Sequence, residues 1–250
     1  RFKNISKFLF SIFDLCFSSS KKSKYYLNKL GAKNIRFKGN LKFSQSEAEK
    51  IYISKNFKKF ISNKNVWCAS STHNEEEKFC GIIHKKLKDK NKNLITIIIP
   101  RHISRTNEII DQLKQIGLNV HVHEPERKID KKTDVYLVNS YGSTKSFYSI
   151  CKNVFLGGSL INHGGQNPLE AARYGCNVLH GPFVENFEEI YNFLKKNGIS
   201  NEIKNHNKTI SHLEKFFSQN SNFKRKQRKI SLIGKKILKT TYNEIKFGVK

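Results

Sequence analysis

Two Gly-Gly pairs, an Asn-Pro and a single glutamate stand together in GGSLINHGGQNPLEAARYG, residues 157–175 of a chain otherwise thick with lysine. Glycine, lacking a Cβ, lets the backbone turn tightly and approach a ligand closely, and Gly157-Gly158-Ser159 and Gly164-Gly165 both have that capacity. Asn167-Pro168-Leu169-Glu170 carries the residue types of an N-cap, N1, N2 and N3, so it should open a helix whose first N–H groups can meet an anion. Glu170 can reach back to the Asn167 N–H as a capping carboxylate or accept hydrogen bonds from a ribose diol, and a first turn tolerates either use. Three further runs carry polar chemistry. Ser70-Ser71-Thr72 offers hydroxyls and, with Glu75, the spacing of a capping box. Pro100-Arg101-His102 would project a bidentate cation suited to phosphate or carboxylate. Asn139-Ser140-Tyr141-Gly142-Ser143 sets Gly142 at a helix opening. Taken singly, these read as a helix cap, a surface arginine and a turn. His73, His102 and His163 lie beside the same runs. His121 and His123 share one face of a short strand without a third ligand, and neither H-E-x-x-H nor a Ser-His-Asp order occurs, so metal catalysis is not indicated.

The elements around these runs explain why they belong together. VWCASST (66–72) reads as a strand, followed by Phe79, Ile82, Ile83 and Leu87 at helical spacing. LITIII (94–99) is a continuous β-branched run of the kind buried on both sheet faces, and Ile109, Ile110, Leu113 and Ile116 mark the next helix, closed by Gly117. NVHVH and DVYLV (134–138) predict strands, then a short helix through Phe147 and Ile150, a strand at NVFLG (153–157), a helix over 168–174 closed by Gly175, and a strand at NVLHG (177–181). Such alternation predicts right-handed crossovers and a doubly wound parallel sheet, in which ligands sit outside the carboxyl ends of the strands. Each polar run falls at one of those ends. Upstream, residues 12–40 read as strand, helix and strand, the tail of another α/β layer; beyond residue 184 the pattern is helical.

Composition bounds the rest. A chain of 250 residues with 37% hydrophobic content can bury a sizeable core, as one large or two small domains. Forty-seven Lys+Arg against twenty Asp+Glu give a formal net charge of +27, which draws polyanions or anionic surfaces and also follows from a coding bias toward Lys, Asn and Ile. The five cysteines are widely spaced without C-x-x-C, so neither a disulfide framework nor a zinc site is expected, and a reducing compartment is the simple reading. No run reaches the roughly 20 apolar residues of a membrane span. The chain opens at Arg1 and lacks methionine, as a piece of a longer polypeptide would.

Read together, WCASSTHNEEE, PRHISR, NSYGSTKSFY, VFLGGSLINHGGQNPLEAARYG and VLHGPFVENFEEI resemble the bacterial lipid A-specific 3-deoxy-D-manno-octulosonic acid (Kdo) transferases. FDLCFSSS…LGAKNIRFKGNLKF resembles the end of that family's N-terminal domain, and the likeness covers most of residues 12–194. It implies the GT-B fold: a complete C-terminal Rossmann-like domain with a parallel sheet, plus the tail end of the N-terminal Rossmann-like domain. The expected division is 1–43 for the acceptor-side remnant, 44–60 for a linker, 61–230 for the CMP-sugar-binding domain and 231–250 for a C-terminal helix. The resemblance implies contact with CMP from Pro100, Arg101, Tyr141, Gly142, Ser143, Asn167, Pro168, Leu169 and Glu170, with Gly158 and Ser159 facing the same cleft. The family usually has Asp-Thr where this chain has Asn139-Ser140, and Gly-Glu where it has Gly142-Ser143. Its general base, a glutamate early in the N-terminal domain, has no counterpart here.

The implied reaction moves Kdo from CMP-Kdo to a lipid A precursor, with no cofactor and no metal. The protein's task is to orient the reactants and to stabilise charge on the departing phosphate. The expected setting is the cytoplasmic face of the inner membrane, held peripherally against an anionic surface, with any anchor upstream of Arg1. Three alternatives stand: a GT-B transferase using another nucleotide sugar, an inactive fragment, and a basic nucleic-acid-binding protein. The lysines are scattered and no RNP-like or helix-turn-helix pattern occurs, so nucleic acid is not an expected partner.

Overall fold

The computed structural model describes residues 3–45, 51–219 and 222–248. Contacts divide them into two compact units. The first comprises the described residues up to 45 with those from Arg228 onward, and the second those from 51 to Gln227.

The first unit holds α1 (Lys3–Ser11), β1 (Cys16–Phe17), α2 (Lys21–Lys29) and β2 (Ile35–Arg36). β1 pairs in parallel with β2, Cys16 against Ile35, so the expected strand–helix–strand remnant is present. Ser20 caps α2 by accepting the Ser23 N–H at 2.8 Å. Most of α10 (Phe223–Gly248) packs in this unit: Gly234 lets the helix backbone lie against that of Phe43, and Glu244 pairs with Lys38 at 2.6 Å.

The second unit carries β3 (Asn65–Thr72), α4 (Glu76–Lys88), β4 (Leu94–Pro100), α5 (Thr106–Gln115), β5 (Val120–Val122), β6 (Val135–Leu137), α6 (Thr144–Ile150), β7 (Asn153–Leu156), α7 (Leu169–Arg173), β8 (Asn177–His180), α8 (Glu188–Lys196), β9 (Ser200–Glu202) and α9 (His206–Ser218). Its seven strands run β5-β6-β4-β3-β7-β8-β9, every pairing parallel. This is the doubly wound α/β architecture read from the alternation. β4 is buried along its whole length, Thr96 included, as a run dominated by β-branched residues requires. Trp67, Ile83, Leu87, Ile98, Leu113 and Phe155 join strands and helices in one core. The strand order reverses between β3 and β7, the switch point at which open sheets of this kind form a crevice.

Three details depart from the sequence reading. Residues 55–60 of the expected linker form, with Ile61, the helix α3 (Lys55–Ile61): Ser54 caps it and Phe57 is buried against Tyr136 and Phe147. Residues 46–50 of that linker lie outside the described residues, as do 249–250 of the expected C-terminal helix. That helix begins at Phe223, with Asn222 accepting the Arg225 N–H, and its first residues cluster with the second unit. Finally, β9 has no alternating signal, since Ser-Asn-Glu is polar throughout; it is held by pairing with β8 and by the buried Ile199 and Ile203 at its ends.

Candidate functional site

β3 does not end as a capping box. Ser71 takes φ +55°, the register with β4 shifts between Ser70 and Thr72, and the strand continues through Thr72. Glu75 then sits at φ +70° without capping α4 through its side chain. Two non-glycine residues in the left-handed region within five positions mark a constrained corner. The side chain that closes it is Glu76. Its carboxylate is buried and accepts four backbone N–H groups: His73 at 3.0 Å and Gly158 at 2.7 Å on Oε2, Ser159 at 3.1 Å and Leu160 at 3.0 Å on Oε1. A Cβ on Gly157 would overlap the Ser71 carbonyl oxygen and stand 2.6 Å from Glu76 Oε2, which is why the strand end there is glycine.

That carboxylate already fills the His73, Gly158, Ser159 and Leu160 N–H groups, so these are not open to a second anion. Ser159, expected in the cleft, is fully buried: besides its amide bond to Glu76, its hydroxyl donates to Leu156 O at 2.5 Å and accepts from Gly181 N at 2.8 Å. Gly158 is buried against the neighbouring ring cluster. At φ +64° its missing Cβ would lie 3.2–3.3 Å from His163, Gln166 and His73.

His73 is the centre of the crevice. Its ring lies 4.3 Å from that of His163 and 5.7 Å from that of His102, and its Nε2 is 3.5 Å from Gln166 Nε2. Burial, then the charges of His163, His102, Arg101 and Arg105, lower its pKa to about 4. Arg101 is exposed at the end of β4, its backbone N–H fixed to Thr72 O at 2.9 Å, and its guanidinium makes no hydrogen bond or ion pair among the described residues. Pro100 is buried in the strand and sets that exit. Arg105, by contrast, is committed to structure through Glu77, Glu108 and Asn74, each at 3.0 Å.

The other expected residues fall beside this cluster. Tyr141, Gly142 and Ser143, after β6, line a pocket of about 300 Å³ together with Phe57, His123 and Phe147. Tyr141 is 72% exposed, Gly142 takes φ +79°, and Ser143 is bonded to Ser140 at 2.8 Å. Asn167 Oδ1 accepts the Leu169 N–H at 3.1 Å, the contact an N-cap makes, and α7 follows for five residues. Pro168 and Leu169 are buried, which confines them to backbone and packing roles, while Glu170 is half-buried near Tyr148. β4, β3 and β7 thus bring Arg101, His73, Gly158, His163 and Gln166 together. The Tyr141–Ser143 loop leaves the strand neighbouring β4, and Asn167–Glu170 follows directly on the β7 loop. Sequence reasoning missed Glu76: the middle residue of Glu75-Glu76-Glu77 looks like any acidic first turn. It also missed α3, whose Phe57 walls the pocket. Among the described residues, no group of three His, Cys, Asp or Glu side chains is placed to hold a metal, and no helix is long and apolar enough to cross a membrane.

No family model matches the chain. Individual proteins do. A 3-deoxy-D-manno-octulosonic acid transferase of Haemophilus influenzae is 35% identical over 132 residues, covering 53% of this chain and 31% of that protein. The transferase of Aquifex aeolicus is 28% identical over 214 residues, covering 86% of this chain and 57% of that protein. The chain therefore spans between about a third and somewhat over half the length of these relatives. Among solved structures, the C-terminal CMP-Kdo binding domain of WaaA from Acinetobacter baumannii superposes with a TM-score of 0.62 at 24% identity, over 72% of this chain and 91% of that domain. The fold is that of a GT-B C-terminal domain.

Proposed function

From this kinship with the Kdo transferases, we propose that the second unit is the donor half of a glycosyltransferase that moves Kdo from CMP-Kdo to a lipid A precursor. The observation carrying the proposal is the crevice at the sheet's switch point, where Arg101 at the end of β4 stands beside the ring cluster of His73, His102 and His163. It lies between a base-sized pocket on one side and the Asn167–Glu170 helix start on the other. In this reading Arg101 takes the phosphate with a charge-assisted hydrogen bond, the Tyr141–Ser143 pocket takes the cytosine, and Glu170 accepts from the ribose hydroxyls. Glycosyl transfer of this type passes through an oxocarbenium-like state, and stabilising the charge gathering on the departing phosphate falls to Arg101 and the crevice. The reaction uses no metal or cofactor in this scheme. The acceptor and the general base are the business of residues beyond the donor half. The net charge of +27 supports peripheral attachment to the anionic cytoplasmic face of an inner membrane, where each nearby Lys or Arg adds about 1 kcal/mol of attraction.

Titrating CMP and UDP into the chain, and CMP into Arg101→Ala and Glu170→Ala, tests the reading. CMP should bind more tightly than UDP and both variants should weaken it. Equal CMP affinity in all three chains would remove the site assignment, and a preference for UDP would assign the fold to another nucleotide sugar.

A further inference from the structure

His73 has a setting that no part of the donor-binding scheme requires. Its backbone is pinned by Glu76 and its ring meets two other segments: His163 and Gln166 on the β7 loop, and His102 on the β4–α5 loop, which also carries Arg101 and Arg105. Gly158 leaves the ring its space. The one carboxylate at hand, Glu76, is turned onto backbone N–H groups, and Glu77 is engaged by Arg105. The largest charges acting on the ring, those of His163, His102, Arg101 and Arg105, all lower its pKa. An imidazole held this way is neutral while the crevice is empty, and its protonation waits on an anion that offsets the surrounding cations.

Resting on the proposed function, we infer that His73 is the proton-uptake residue of this crevice, binding a proton when a terminal phosphate dianion occupies it and so favouring the departing nucleoside monophosphate over the intact sugar phosphodiester. The balance is simple. When the bond between the anomeric carbon and the phosphate oxygen breaks, its electron pair stays on that oxygen and the phosphate passes from one negative charge to two. The proton lost by the attacking hydroxyl leaves through a base to solvent, and His73 takes one proton from solvent. The imidazolium then faces the second negative charge as a charge-assisted donor, an interaction absent from the ground state.

The test follows the His73 ring signal by NMR through a pH titration of the free chain, the chain saturated with CMP, and the chain saturated with the methyl ester of CMP, a phosphodiester with one negative charge. His73→Gln assigns the signal; should that variant not fold, the ring signal shifted by both His163→Gln and His102→Gln, whose rings lie against it, is that of His73. Free His73 should titrate near about 4. With CMP the midpoint should rise to or above the ordinary histidine value of about 6.5, and with the ester it should rise less. CMP binding with an unmoved midpoint overturns the inference and leaves the nucleotide reading standing. An equal rise with the ester overturns the preference for the departing product. Absence of binding by either nucleotide at any pH defeats the nucleotide reading itself.

Discussion

At the switch point of one sheet, two neighbouring regions meet anions in opposite ways. The glycine loop after β7 has the donors of an anion cradle, and its Gly158, Ser159 and Leu160 N–H groups are spent on Glu76. The ends of β3 and β4, a few residues away, gather His73, His102 and Arg101, and the largest charges that act on His73 all lower its pKa. The difference teaches that what remains available to an anion here is side-chain donors on the strand ends, while the glycines serve an internal carboxylate that fixes the corner between β3 and β7. A carboxylate bonded to four amides cannot be displaced by a ligand without orphaning them.

Removing Glu76 attacks this division most directly. Glu76→Ala leaves four buried N–H groups without a partner and should cost on the order of 4 kcal/mol in urea unfolding; a loss under about 1 kcal/mol would mean the loop holds itself. Gly157→Ala forces a Cβ onto Ser71 and Glu76 and should cost about 2 kcal/mol by overpacking, again read by unfolding, with Ser11→Ala as a neutral control. Arg101→Ala belongs to the other region. It should weaken CMP about 10- to 100-fold, as loss of a charge-assisted hydrogen bond does, yet shift unfolding by less than about 0.5 kcal/mol. A variant that loses stability instead would place Arg101 with the structural side of the comparison. The smallest effect is the pH response of the empty crevice. His73 has a folded value of about 4 against an ordinary 6.5, so between these the unfolded chain binds more protons. Its contribution is intact above pH 6.5 and is lost as pH falls toward 4. With solvent screening the loss should be roughly 1 kcal/mol, seen as a flatter pH dependence of unfolding in His73→Gln.

Much of the fold was legible. Unbroken apolar runs such as LITIII, and the helices closed by Gly117 and Gly175, alternate in a pattern that only a parallel layer satisfies. The strand-end positions of Arg101 and Gly142 followed from that alternation. What was illegible lacked a local signature. β9 is polar in sequence and exists by pairing with its neighbour; α3 sits in a lysine-rich stretch and is decided by one buried phenylalanine. The Thr72–Glu75 spacing matched a capping box, but the bulge at Ser71 carried the strand past it.

The sequence by itself determined the order of strands and helices, the glycine positions that permit close backbone approach, and the placing of cationic and hydroxyl residues at one edge of a sheet. These are consequences of periodicity and residue type, which act over a few positions. Tertiary structure alone decided which of three consecutive glutamates turns onto the strand-end amides and which amides it consumes, because the donors on Gly158, Ser159 and Leu160 lie more than 80 residues from Glu76 along the chain. It also decided that His73, His102 and His163 form one cluster, since three distant segments meet only where the strand order reverses.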